Sequence, residues 1–143
     1  MLKLVNRDSG SKNKIKMSPQ ERLENEFSKV INLGNLECAY LFSSEGLLLA
    51  GVKGQSDFDQ NQAVEIVYAV NDAIKFLNES TEFSGMNEIL MVSQSRRRIS
   101  VRSFEAFQQT VSMILVVPRG KTYRSHTNRL INSIKKIGLS EVK

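Results

Sequence analysis

The chain is poor in the residues that most often carry chemistry. Its 143 residues include one cysteine, one histidine and no tryptophan. A lone cysteine excludes an internal disulfide and a cysteine-built zinc cage, and it fits a reducing compartment. The lone histidine, His126, has neither a second histidine nor a nearby acid with which to hold a metal or act as a general base. No GxxxxGK[ST] loop, no GxGxxG between strand and helix and no GxSxG elbow occurs. The expectation is a protein with no catalytic residue, no cofactor and no metal.

Long apolar runs are missing as well. None approaches the ~20 residues that cross a bilayer. The opening Met1-Leu2-Lys3-Leu4-Val5-Asn6-Arg7-Asp8 breaks with charge too early for a signal-peptide core, so a cytoplasmic location is expected. There are only two prolines, Pro19 and Pro118, and each stands at the edge of a periodic segment.

What is present is enough for a core, with 41% hydrophobic and 24% charged residues. The net charge of +5 is unevenly spread. Residues 1–17 hold five basic residues and one acid, residues 18–93 four and twelve, and residues 94–143 eleven and two. The first segment, rich in Asn, Ser and Lys, reads as a flexible basic arm. Residues 18–143 read as a single domain, with any affinity for an anionic partner in its last third.

Ser18-Pro19-Gln20-Glu21 is a capping box, with Pro19 suited to the first helical turn. Leu23, Phe27, Val30 and Ile31 form one apolar face, and Gly34 ends a helix expected over 19–33. Residues 36–42 read as an apolar strand, Ser43-Ser44-Glu45-Gly46 as a tight turn, and 47–50 as the returning strand. Continuous apolar strands imply cover on both faces of a sheet. Gly51 and Gly54 read as loop. Asp57 or Asp59 caps a long second helix reaching about residue 78, whose Ala63, Ile66, Val67, Val70, Ile74 and Leu77 face the sheet.

Beside that face runs a second stripe of Phe58, Gln62, Ala69, Ala73 and Phe76. Either it widens the core face or it meets another copy of the chain, and its two alanines favour close helix approach. Residues 88–93, 98–104 and 110–117 read as three strands, with a turn at 94–97 and Pro118 as the stop. A basic helix over 122–137 carries Tyr123, Leu130, Ile134 and Ile137 on its apolar side.

Cys38 falls in an apolar strand as an inert thiol. The acid pairs Glu24/Glu26 and Asp57/Asp59 serve as solvated surface or helix caps. Arg96, Arg97, Arg98 and Arg102 cluster on the third hairpin, followed by Arg119, Lys121, Arg124, Arg129, Lys135 and Lys136. Such a cluster is a solvated hairpin tip, a dock for an acidic protein surface, or a site for nucleic acid or anionic lipid. No aromatics interleave with the arginines, which counts against nucleic acid. A ligand-sensing domain would need a polar internal cavity, which these apolar strands do not suggest.

Ala39-Tyr40-Leu41-Phe42-Ser43-Ser44-Glu45-Gly46-Leu47-Leu48-Leu49-Ala50, preceded by a capped helix, resembles the opening hairpin of the roadblock/dynein light-chain domain. The long helix with Ala63, Tyr68, Ala69 and Leu77 is similar to that family's next element. Glu88-Ile89-Leu90-Met91-Val92, the Arg96-Arg97-Arg98 turn into Ile99-Ser100-Val101, the strand over 110–117 and the last helix complete the likeness over about 18–138. The arm before Ser18 and a longer, polar Glu105-Ala106-Phe107-Gln108-Gln109 stretch depart from it.

The resemblance implies an α+β fold, ordered α-β-β-α-β-β-β-α. It has a five-stranded antiparallel sheet with one helix on one face and two on the other. It also implies a homodimer with antiparallel second helices and paired third strands, which adds Ile89 and Met91 to the interface stripe. Bacterial members regulate or activate small Ras-like GTPases, and others are scaffolds on motor or membrane complexes. Arg96, Arg97, Arg98 and Arg102 would then meet the partner, with an arginine finger among the first three conceivable.

Overall fold

The two central strands are apolar on both sides, and the whole architecture follows from covering them. The computed structural model describes residues 17–80 and 82–141. Apart from Met17, the basic arm expected over 1–17 lies outside the described residues. Eight elements follow in the order α1 (Pro19–Asn32), β1 (Cys38–Phe42), β2 (Leu48–Val52), α2 (Gln60–Asn78), β3 (Glu88–Val92), β4 (Arg98–Ala106), β5 (Gln109–Val117) and α3 (Arg124–Ser140). The strands form one antiparallel sheet in the order β2-β1-β5-β4-β3. This is the α+β arrangement implied by the resemblance.

Strand periodicity divides the core in two. Ala39 and Leu41 of β1, with Val111, Met113, Leu115 and Val117 of β5, pack against Leu23, Phe27 and Val30 of α1 and Leu130, Ile134 and Ile137 of α3. Cys38, Tyr40 and Phe42, with Ile114 and Val116, face the other way, against Ala63, Val67, Val70 and Ile74 of α2. One helix thus covers one face and two cover the other. β1 and the end of β5 are buried throughout, because each of their two faces lies under a helix.

Local chemistry sets the boundaries. Ser18 Oγ accepts from Glu21 N at 3.1 Å while Glu21 returns the bond to Ser18 N at 2.8 Å. Of the two candidate caps for α2 the structure uses Asp59, in a second capping box with Gln62. Gly46 sits at φ 83°, and the Tyr68 hydroxyl of α2 lies where a Cβ would be. The Glu-Gly turn is therefore read twice, once by the backbone and once by the helix packed over it.

Three segments differ from expectation. Gly51 belongs to β2 rather than to a loop, because the Tyr40 ring on β1 occupies the space of its missing side chain. The polar stretch around residue 107 is not an extended loop. β4 and β5 run on to Ala106↔Gln109 and are joined by a two-residue turn, with Phe107 at φ 55° and Gln108 at φ 61°. Both are left-handed positions that normally ask for Asn or Gly, so the sequence hid the turn. Phe107 is held in place by packing on the α1–α3 core, where its backbone N lies 2.9 Å from where a Cβ on Gly138 would stand. α3 begins at Arg124 and continues to Ser140, beyond the expected 137, because Gly138 lets the helix pass under this turn.

Gln108 is exposed, and relieving its left-handed strain is expected to stabilise the chain. Gln108→Gly should gain about 1 kcal/mol in denaturant unfolding. Gly138→Ala, which in an ordinary helix interior gains about 1 kcal/mol, should instead lose stability against Phe107. A gain at Gly138 would refute this account of the turn.

Candidate functional site

The two edges of the sheet are treated differently. At the β2 edge, Glu24 of α1 reaches across and accepts from Gly51 N at 2.9 Å. Expected to be surface or cap, this carboxylate in fact occupies an edge amide, a device that blocks strand addition. The β3 edge has no such cover among the described residues. Ser103 N donates to Asn87 O and Ser93 N to Arg97 O, which fixes the alternation of the β3–β4 ladder. Glu88, Leu90 and Val92 consequently turn their backbone N–H and C=O groups outward. Leu90 and Val92 are also 40% and 61% exposed on the α3 side of the sheet.

Next to this open edge lies one flank of α2. Tyr68 marks the other flank, its hydroxyl donating to Glu45 O at 3.4 Å in the β1–β2 turn. At 100° per residue Gln62, Ala69, Ala73 and Phe76 fall on the opposite side, toward β3. Gln62, Ala69 and Phe76 are exposed and Ala73 is half-buried. Ile89 and Met91 of β3, expected at an interface, are half-buried and already pack on the α2 core. Phe58 is likewise half-buried, its carbonyl accepting from the Tyr40 hydroxyl at 2.7 Å. Phe58, Gln62 and Met91 meet in one groove of about 310 Å³, which Asp57, Val92, Ser93, Arg97, Ile99 and Val116 complete.

The arginine cluster is dispersed by the strand alternation. Arg97 lies on the groove side and makes a two-pronged bond to Glu37, 2.7 and 3.0 Å, which raises its pKa further. Arg98 points to the other face, donates to the Pro118 and Lys121 carbonyls, and stacks 5.5 Å from the Tyr123 ring centre, with Arg124 at 5.4 Å. Arg102 donates to Asn128 Oδ1 at 3.1 Å, and Arg96 occupies the turn at φ 71°. Across the ladder Arg98 stands opposite Val92 and Arg102 opposite Glu88, on either side of the exposed Leu90, so the α3 face of β3 and β4 is a basic, partly apolar shelf. Glu88 sits within it, paired with Arg124 at 3.4 Å. The role of Arg124 in this shelf was not legible, because only the fold brings residues 88, 102 and 124 together.

Among the described residues no group of three or more His, Cys, Asp and Glu side chains is placed to hold a metal. His126 pairs with Asn35 through Nε2. No described helix is long and apolar enough to cross a membrane. What the surface offers is an open strand edge, a small-residue helix flank and a basic shelf.

No family model and no curated protein matches the chain. Solved structures do. The gliding protein MglB from Thermus thermophilus aligns over 88% of this chain and 95% of its own, at 14% identity and a TM-score of 0.72. An MglB with a tetrameric arrangement aligns over 88% and 94%, at 14% identity and a TM-score of 0.71. The Roadblock/LC7 domain from Streptomyces avermitilis aligns over 84% and 98%, at 10% identity and a TM-score of 0.65. The fold is the roadblock/LC7 fold. The roadblock-like sheet and its three helices account for nearly the whole described chain.

Under α2, two ionisable groups are held neutral. Burial pushes the Cys38 thiol up to about 12 from 9.0, against a weaker opposing hydrogen bond with Ser56. Burial, helped by the charges of Cys38 and Asp59, likewise pushes the Tyr40 phenol up to about 12 from 10.0. Both keep their protons in the folded chain after the unfolded chain has lost them. The stability this contributes is full below pH 9 and is lost as pH rises toward 12. Thermal melts across that window should show a falling melting temperature. The fall should be shallower in Tyr40→Phe and in Cys38→Ala, and slopes unchanged from the parent chain in both variants would sink the explanation.

Proposed function

We propose that residues 18–143 act as a single-domain, non-enzymatic interaction module. It self-associates through α2 and the β3 edge, and as a dimer it binds and regulates a small Ras-like GTPase in the cytoplasm. The observation that carries the self-association is the contrast between the sheet edges. Glu24 caps one, while the other is open, apolar and flanked by the Ala69/Ala73 stripe. A lone soluble chain gains nothing from an open apolar edge and risks aggregation by it. Pairing β3 with β3 of a second copy satisfies the outward N–H and C=O groups.

The GTPase reading rests on the roadblock fold and on the resemblance of the hairpin and third-strand segments to that family's bacterial regulators. Residues 96–102 and α3 supply the positive surface for an acidic partner, with Arg98 and Arg102 held ready by their own contacts. Such a surface acts by binding one arrangement of the partner's switch regions better than another. Arg97 and Arg98 would each have to break existing bonds to reach a phosphate, so positioning suits them better than service as an arginine finger.

A second reading is a dimeric scaffold in a motility or signalling complex without effect on nucleotide hydrolysis. A structural neighbour that is a gliding protein favours it. Titration calorimetry with a Ras-like GTPase from the same cell, loaded with GDP or a GTP analogue, tests the first reading. Preferential binding of the GTP form and a faster hydrolysis rate are expected. Arg98→Glu with Arg102→Glu should weaken the complex by about tenfold or more. Binding without any change in hydrolysis selects the scaffold, and no binding removes the GTPase.

A further inference from the structure

A knob and a hole lie at opposite ends of the same flank of α2. The knob is Phe76, 75% exposed, the most exposed of the large apolar side chains among the described residues. The hole is the groove of about 310 Å³ at the other end of the helix, lined by Phe58, Gln62, Met91 and Arg97 over a floor of Ile99 and Val116. Fourteen residues separate Gln62 from Phe76, about 21 Å along the axis at 1.5 Å per residue. Phe76 therefore cannot fill the groove of its own chain.

A second copy can. Gln62 and Phe76 are each seven residues from Ala69, two helical turns to either side on one stripe. If two α2 helices lie antiparallel across a twofold axis through Ala69, Phe76 of one copy stands opposite Gln62 of the other. The small side chains of Ala69 and Ala73 let the helices approach to the 8–10 Å typical of packed helices. The same axis satisfies both ends at once, as a closed isologous contact requires. Resting on the self-association proposed above, we infer that Phe76 of each protomer inserts into the Phe58–Gln62–Met91 groove of its partner, so that each groove is completed by the other chain. The surface is continuous with the open β3 edge through Met91 and Val92, so helix pairing and strand pairing join in one interface.

Cysteine cross-linking separates this register from dimerisation as such. Cys38, buried and with its thiol pushed up to about 12, stays silent toward thiol reagents in the folded chain. The double variant Gln62→Cys/Phe76→Cys, treated with a short bismaleimide, is expected to give a covalent dimer. Each single variant is expected to stay monomeric on a denaturing gel, because like positions lie about 21 Å apart in this register. Phe76→Ala, an exposed substitution that leaves the fold intact by circular dichroism, should weaken the dimer by about tenfold or more in sedimentation equilibrium.

A Gln62→Cys/Phe76→Cys variant that is itself still a dimer by light scattering at the concentration used, yet fails to cross-link, overturns the insertion and leaves the self-association standing. So does a dimer indifferent to Phe76→Ala. A monomer at every concentration overturns both.

Discussion

Everything in this fold follows from two central strands that present apolar side chains to both faces. β1 and β5 leave no side of the sheet that water can occupy, so helices must lie on both. A single helix suffices over Cys38, Tyr40, Phe42, Ile114 and Val116 because Tyr40 and Phe42 are large. The other face carries the smaller Ala39 and Ala50 beside Leu41 and Met113, and two helices descend onto it. With both faces covered, the remaining liabilities are the edges. The molecule covers one with Glu24 and leaves the other open among the described residues.

The main elements were legible because their signals are local. Two capping boxes, an apolar stripe at helical spacing and a Glu-Gly turn each declare themselves within a few residues. The misread positions are those whose local signal was overruled by a distant contact. Gly51 looks like a loop until Tyr40 is placed across from it. Phe107 and Gln108 look like polar linker, and become a tight turn only because Gly138 admits Phe107 to the core. Local strain is outweighed by apolar burial, an exchange invisible to propensity.

The candidate surfaces show the same division. The stripe of Gln62, Ala69, Ala73 and Phe76 could be drawn from the helical period, since neighbours on a helix are fixed by spacing. That it faces β3, and that it ends in a groove, depends on which flank Tyr68 takes. The arginines are the clearest failure of linear reading. Consecutive residues on a strand point to opposite faces, so Arg97 and Arg98 are parted by the sheet, one clamped to Glu37 and the other to the carbonyls before α3. A patch in the sequence became two anchors in space, and the basic shelf had to recruit Arg124 from a different element.

The charge segregation acquires its meaning from this geometry. α3 carries four basic residues and no acid, whereas α2 carries Glu65 and Asp72 against a single Lys75. The sheet stands between them, so the two faces of the domain differ in sign. The proposed pairing through α2 would bring only a few charges together, at the rim of an apolar seam, where water and salt screen them. In that pairing the strongly basic face would stay outside the seam and be doubled by it, since a twofold pairing of β3 would set two copies of the Leu90–Val92 shelf side by side. Attraction for an acidic partner would then scale with assembly: one copy would offer half of a surface, and only the pair the whole. On the proposed function, self-association through one face and recognition through the other would in this way be coupled by the strand they share.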